Sequence, residues 1–203
     1  MQLNYSSLID LTKDISESLE VFPGDPQVFI DTVSLPSDNF VLERLCMSTH
    51  AGTHIDAPFH VVEKGAHVDE ILLRDLLLPA LFFNVVGLNE DERLSAFQRS
   101  AENINGKALL IRTGQRVSAN ITEKEAALFI SLNVKAIGVD AMSVEESHDL
   151  PVHKALLSNG ILIVEGLTNL NLLKESVDYF FVVAPMKLKG CSGAPVRAFV
   201  VTL

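Results

Sequence analysis

Residues 107–167 read KALLIRTGQRVSANITEKEAALFISLNVKAIGVDAMSVEESHDLPVHKALLSNGILIVEGL. KALLIRT, KAIGVDA and ILIVEGL are short runs of Leu, Ile and Val, apolar at successive positions, as strands covered on both faces are. Between them, ITEKEAALFISL from Ile121 and HKALLSNG from His153 carry helix punctuation. Thr122 stands three residues before Glu125, the spacing of a capping box, and Asn159-Gly160 supplies a stop. Further strand-like runs lie on either side: LIDLT, QVFIDTVSL, VLERLCMSTH and ALFFNVVGL before this stretch, YFFVVAPMKL and AFVVTL after it. Each is bounded by Gly, Pro, Asn or Asp. Helical patterns recur at 68–78 and 94–100. No repeat, low-complexity tract or Pro/Ser-rich linker divides the chain, so residues 1–203 are expected to form one compact α/β domain of mixed sheet with flanking helices.

At 48% hydrophobic content over 203 residues the chain can bury a substantial core. Its 16 basic against 26 acidic side chains give a net charge of -10, which repels phosphate backbones and anionic membrane surfaces. Neither nucleic acid nor a membrane is therefore expected as a partner. The start, MQLNYSSLIDLTKDISESL, has no basic opening and no unbroken apolar run, and no stretch approaches the roughly 20 apolar residues that span a bilayer. A soluble, cytoplasmic protein follows. Cys46 and Cys191 read as buried small hydrophobes in a reducing compartment, not as a disulfide framework.

Chemistry concentrates in His50-Ala-Gly-Thr-His54-Ile-Asp56-Ala-Pro-Phe-His60, which holds three of the six histidines. Positions 50, 54, 56 and 60 differ by even numbers, so an extended backbone points all four side chains to one face. A helix would turn residue 56 roughly 200° from residue 54, and Pro58 also opposes helix. Two imidazoles and a carboxylate on one face suit zinc or manganese and leave coordination positions open for water. The alternative is a run of polar residues paired among themselves. Further ligands are sought at His153, at a helix start, and at Glu165, at the end of an apolar strand, where an unpaired carboxylate costs several kcal/mol. A capping histidine and a solvated glutamate would explain that pair equally well. His67 and His148 stand in polar surroundings and read as exposed. Phe22-Pro23-Gly24-Asp25, followed by Pro26, is a stiff turn that serves as a plain loop or as one lining a substrate.

The segment 50–60, with FPGDP, GAHVDEILLRDL, LLIRTG, IGVDAMSVE, VHKALLSNGILIVEGL and APMKLKGCSGAPVRA in the same order along the chain, resembles the cyclase-like metal-dependent hydrolases. Bacterial kynurenine formamidase and isatin hydrolase belong to that family. The resemblance implies a swivelling β/β/α fold and one or two divalent ions per subunit. His50, His54 and Asp56 would be ligands, His153 and Glu165 would complete a second metal site, and His60 would be the acid/base residue. It also implies a homodimer or homotetramer whose subunits complete each other's pockets. The implied reaction is hydrolysis of an amide bond in a small aryl substrate such as N-formylkynurenine, or of a cyclic amide or lactone. In kynurenine formamidases the turn is typically Trp-Pro-Gly-Asp, its indole stacked on the substrate ring; here Phe22 takes that place in a chain without tryptophan, and its ring can still stack. A non-catalytic metal-binding protein is the rival from another class, and would need a closed set of four protein ligands.

Overall fold

The computed structural model describes residues 7–202. The first six residues of the stretch read for a targeting signal, and Leu203 of the last apolar run, lie outside the described residues. The strands are β1 (Ser7–Asp10), β2 (Phe29–Thr32), β3 (Glu43–Cys46), β4 (His54–Asp56), β5 (Leu77–Asn84), β6 (Ala108–Arg112), β7 (Ala136–Val139), β8 (Leu162–Glu165), β9 (Tyr179–Pro185) and β10 (Gly193–Thr202). The helices are α1 (Glu90–Arg99), α2 (Ala101–Ile104), α3 (Glu123–Ser131) and α4 (Pro151–Ser158).

One sheet runs β1-β10-β4-β8-β7-β6-β5-β9, and β9 pairs again with β10, so the sheet closes into a barrel with β1 lying along β10. β5 to β8 are mutually parallel and the other pairings are antiparallel. Parallel neighbours need long crossovers, and α1 with α2, α3 and α4 supply them. Alternation along each strand then separates two cores. Ile55, Leu110, Val164, Phe181 and Val196 fill the barrel, whereas Leu109, Ile111, Ile137 and Ile163 face the helices through Phe97, Phe129 and Leu156.

Local signals explain the helix limits. Thr122 caps α3 by accepting from Glu125 N, with the Glu125 side chain returning to the Thr122 backbone. Pro151 opens α4, and Asn159 with Gly160, at φ +73°, closes it. The pattern at 68–78 does not become one helix. Val68–Glu70 and Leu73–Leu76 are separate 3₁₀ turns, and β5 begins at Leu77. Leu76, Leu78, Ala80 and Phe82 alternate into the barrel core, so a period of two prevails there, and Leu73 is left 77% exposed.

β2 and β3 form a separate two-stranded sheet with mostly exposed residues. Cys46 lies on it and is exposed, while Cys191 is half-buried. The reading of both as buried is therefore corrected: β3 does not enter the barrel.

Candidate metal centre

β4 is only three residues long, so residues 50–60 are not one extended ribbon. Within it His54 and Asp56 point to the outer face of the barrel and Ile55 points inward. His54 is the cross-strand partner of Glu165 on β8, which puts imidazole and carboxylate side by side. α4 packs on β8 and contributes the buried His153 from its first turn.

His50 arrives by a bend, not by strand periodicity. Gly52, at φ +72°, turns the chain across the end of β8, where Gly166 has φ +68°; a Cβ on Gly166 would lie 2.3 Å from the Gly52 carbonyl oxygen. Thr53 fixes this crossing, donating from Oγ1 to Gly166 O at 2.7 Å and accepting from Lys13 N at 2.9 Å. His60 ends the 3₁₀ turn Pro58–His60, for which Pro58 presets the backbone. The convergence expected of these side chains occurs, but turns on both sides of a very short strand produce it.

Two buried carboxylates lie at the centre, shared between two imidazoles. His54 Nε2 is 3.5 Å from Asp56 Oδ1 and 3.2 Å from Glu165 Oε2. His153 Nε2 is 3.7 Å from Asp56 Oδ2 and 3.3 Å from Glu165 Oε1. His50 Nδ1 lies 2.8 Å from Asp56 Oδ1, and its Nε2 lies 2.9 Å from Ser192 Oγ. The His60 ring is centred 4.3 Å from that of His50 and 5.8 Å from that of His153. Phe22 and Asp25, on a turn closed by Asp25 N donating to Phe22 O at 2.9 Å, line a pocket of about 250 Å³ with these groups.

The electrostatics amount to a demand for positive charge. Burial alone would push both imidazoles down. Hydrogen bonding to Glu165, with the charges of Asp56 and Glu165, instead holds His54 up to about 9. Hydrogen bonds to Glu145 and Glu165 hold His153 up to about 10. Burial opposes ionisation of Asp56, yet the His50 hydrogen bond and the neighbouring imidazoles keep it well below the usual carboxylate range. His60 goes the other way, lowered first by burial and further by His50 and His153 against the pull of Asp56.

Asp56 Oδ2 is buried and accepts no hydrogen bond, which costs free energy unless a cation meets it. His54, Asp56 and Glu165 bring ligand atoms within 4.8 Å of one another, as do His50, Asp56 and His60. A divalent cation fits this donor set in charge and atom type. His60 would thus lie within reach of an ion held beside His50.

Two contacting groups were not singled out from the sequence. Glu145 accepts from His153 N at 2.8 Å and lies 2.9 Å from its Nδ1, and Ser192 meets His50. Both fall in segments that carried the resemblance, but their partners stand 8 and 142 positions away, and no local pattern joins them. His148 is exposed. His67 is only partly so, with Phe59 4.3 Å away between ring centres and Glu70 3.1 Å from its Nδ1.

The family model for Cyclase matches residues 9–146, and the chain belongs to that family. Kynurenine formamidase of Salinibacter ruber is 31% identical over 95% of this chain and 96% of its own length. A solved structure described as a potential metal-dependent hydrolase with cyclase activity aligns at a TM-score of 0.81 and 28% identity, covering 97% of this chain and 98% of that one. Isatin hydrolase A from Ralstonia solanacearum shares the fold at a TM-score of 0.80 and 23% identity, over 97% and 92% of the two chains.

Proposed function

We propose that this chain is a metal-dependent amidohydrolase acting on a small aryl substrate, an N-formyl aryl amine of the N-formylkynurenine type. His50, His54, Asp56, His153 and Glu165 would hold one or two divalent ions, zinc or manganese. The observation that carries this reading is the pair Asp56 and Glu165, buried side by side with each of their four oxygens turned toward an imidazole. When bound, a divalent cation acidifies water toward neutral pH and polarises a carbonyl.

The chain's own residues do the rest. His60, lowered in its pocket, is neutral at pH 7 and takes a proton from the attacking water. It returns that proton to the amine nitrogen as the carbon–nitrogen bond breaks, leaving formate and the free aryl amine. Phe22 offers its ring to the aryl group at the pocket rim. The exposed apolar side chains of the β2–β3 arm, among them Phe40 at 61% and Val41 at 73%, suit contact with a second copy in a homodimer or homotetramer. Among the described residues no helix is long and apolar enough to cross a membrane, and we place the enzyme in the cytoplasm.

The test is a turnover panel of N-formylkynurenine, N-formylanthranilate and isatin, run on metal-analysed protein and on His60→Ala. The expected result is a preference for an N-formyl substrate. His60→Ala should keep its metal and lose about 10²–10⁴-fold in kcat. Protein that binds less than a tenth of an equivalent of any transition metal, or a His60→Ala variant with full turnover, defeats the reading.

A further inference from the structure

The two imidazoles that share the carboxylate pair are backed by different groups. His54 directs Nδ1 at the Gly52 carbonyl oxygen, a neutral acceptor 3.1 Å away. His153 directs Nδ1 at Glu145 Oε1, a carboxylate oxygen 2.9 Å away, and the same oxygen accepts from the His153 backbone N–H at 2.8 Å. Glu145 is only 6% exposed, so this contact is shielded from water. The chain doubles back to make it: Leu150, at φ +49°, reverses direction just before α4 and brings the first turn of the helix over Glu145.

With its Nδ1 proton engaged by a carboxylate, His153 turns Nε2 to the space beside Asp56 Oδ2 and Glu165 Oε1, the nitrogen that would give up its proton to take a cation. Charge-assisted hydrogen bonds are roughly twice as strong as neutral ones, and a carboxylate behind a ligating imidazole fixes its tautomer and raises its basicity. The donors also differ in number on the two sides. His50 adds an imidazole beside His54, whereas among the described residues His153 is the one imidazole that meets Asp56 Oδ2 and Glu165 Oε1.

We propose that Glu145 is a positioning residue that orients His153 and sets the affinity of the cation held on the His153 side. This rests on the metal-centre reading above. A residue serving only to cap α4 would affect folding stability and nothing else.

The experiment uses the full chain stripped with chelator and titrated calorimetrically with zinc, comparing wild type, Glu145→Gln, Glu145→Asp and His153→Ala. Glu145→Gln keeps the volume and removes the charge. It should weaken, by about 10- to 100-fold, binding of the ion that His153→Ala also loses, with partial recovery in Glu145→Asp. Wild-type zinc affinity in Glu145→Gln, with only the melting temperature lowered, overturns the proposal. If Glu145→Gln fails to fold, nitrogen NMR of zinc-loaded wild type decides: His153 should carry its proton on Nδ1, and a proton on Nε2 overturns the proposal. Wild type that binds no zinc would sink the metal reading itself, whereas wild type that binds zinc as Glu145→Gln does sinks only this inference.

Discussion

Two of the concavities on the molecule differ in both size and chemistry. The larger, about 950 Å³, lies at the carboxyl ends of β6, β7 and β8, with Lys13, Arg112, Arg116 and Asp140 in its walls; the pocket over the histidines has about 250 Å³. Size alone would favour the larger, which also lies where ligands commonly sit in α/β sheets. Its carboxylates, however, are largely satisfied. Asp140 accepts from Thr113 N, Thr113 Oγ1 and Gly114 N at 2.6–2.9 Å, Glu20 is paired with Arg116, and Asp10 is paired with Arg197. Beneath the smaller pocket Asp56 Oδ2 accepts no hydrogen bond, and two imidazoles keep their protons well above pH 7 while no cation is bound. An unmet need for charge marks the site better than volume does.

The sharpest way to break this contrast is to remove the need. Asp56→Asn should release metal and lower kcat/KM on the order of 10³–10⁴-fold, the several kcal/mol that a cation contributes to a developing oxyanion. Metal retention in that variant, read by elemental analysis, would contradict the assignment.

Acidity offers a second probe. In metal-free protein His54 and His153 titrate near 9 and 10, above the ordinary 6.5. Their stabilising contribution is therefore full below pH 6.5 and is lost as pH rises through those values. Asp56, depressed below its ordinary 3.8, has the opposite sign, stabilising above that pH and losing its contribution in acid. Chelated protein should melt at progressively lower temperature from pH 6.5 to 10, while metal affinity rises as protons leave the same nitrogens. A flat melting profile for chelated protein would refute the account.

The smallest effect belongs to the larger cleft. Asp140→Asn should cost about 1–2 kcal/mol, or about 2–8 °C in Tm, from weakened hydrogen bonds, and leave kcat/KM unchanged. A loss of turnover there would move attention back to the larger cavity.

Much of this was legible in the sequence because it is written over short distances. The strand runs, the Thr122–Glu125 box and the Asn159-Gly160 stop are local, and each appears where expected. The even spacing of 50, 54, 56 and 60 named residues that do converge, although only 54 and 56 do so by strand alternation. Position 50 depends on Gly52 meeting Gly166, and position 60 on a 3₁₀ turn. Composition cannot report such backbone crossings. Glu145, Ser192 and the exposure of Cys46 depend likewise on which distant segment arrives, and on the β2–β3 arm being left out of the barrel.

The short strand β4 lies between β8 and the Gly193–Pro195 end of β10, and Ser192, just before that end, holds His50. The setting of β4 and of His50 therefore depends on β10 and on Ser192, 142 positions beyond His50. A truncation before Ser192 should leave every histidine present but remove the strand that flanks β4, with loss of metal uptake as read by elemental analysis.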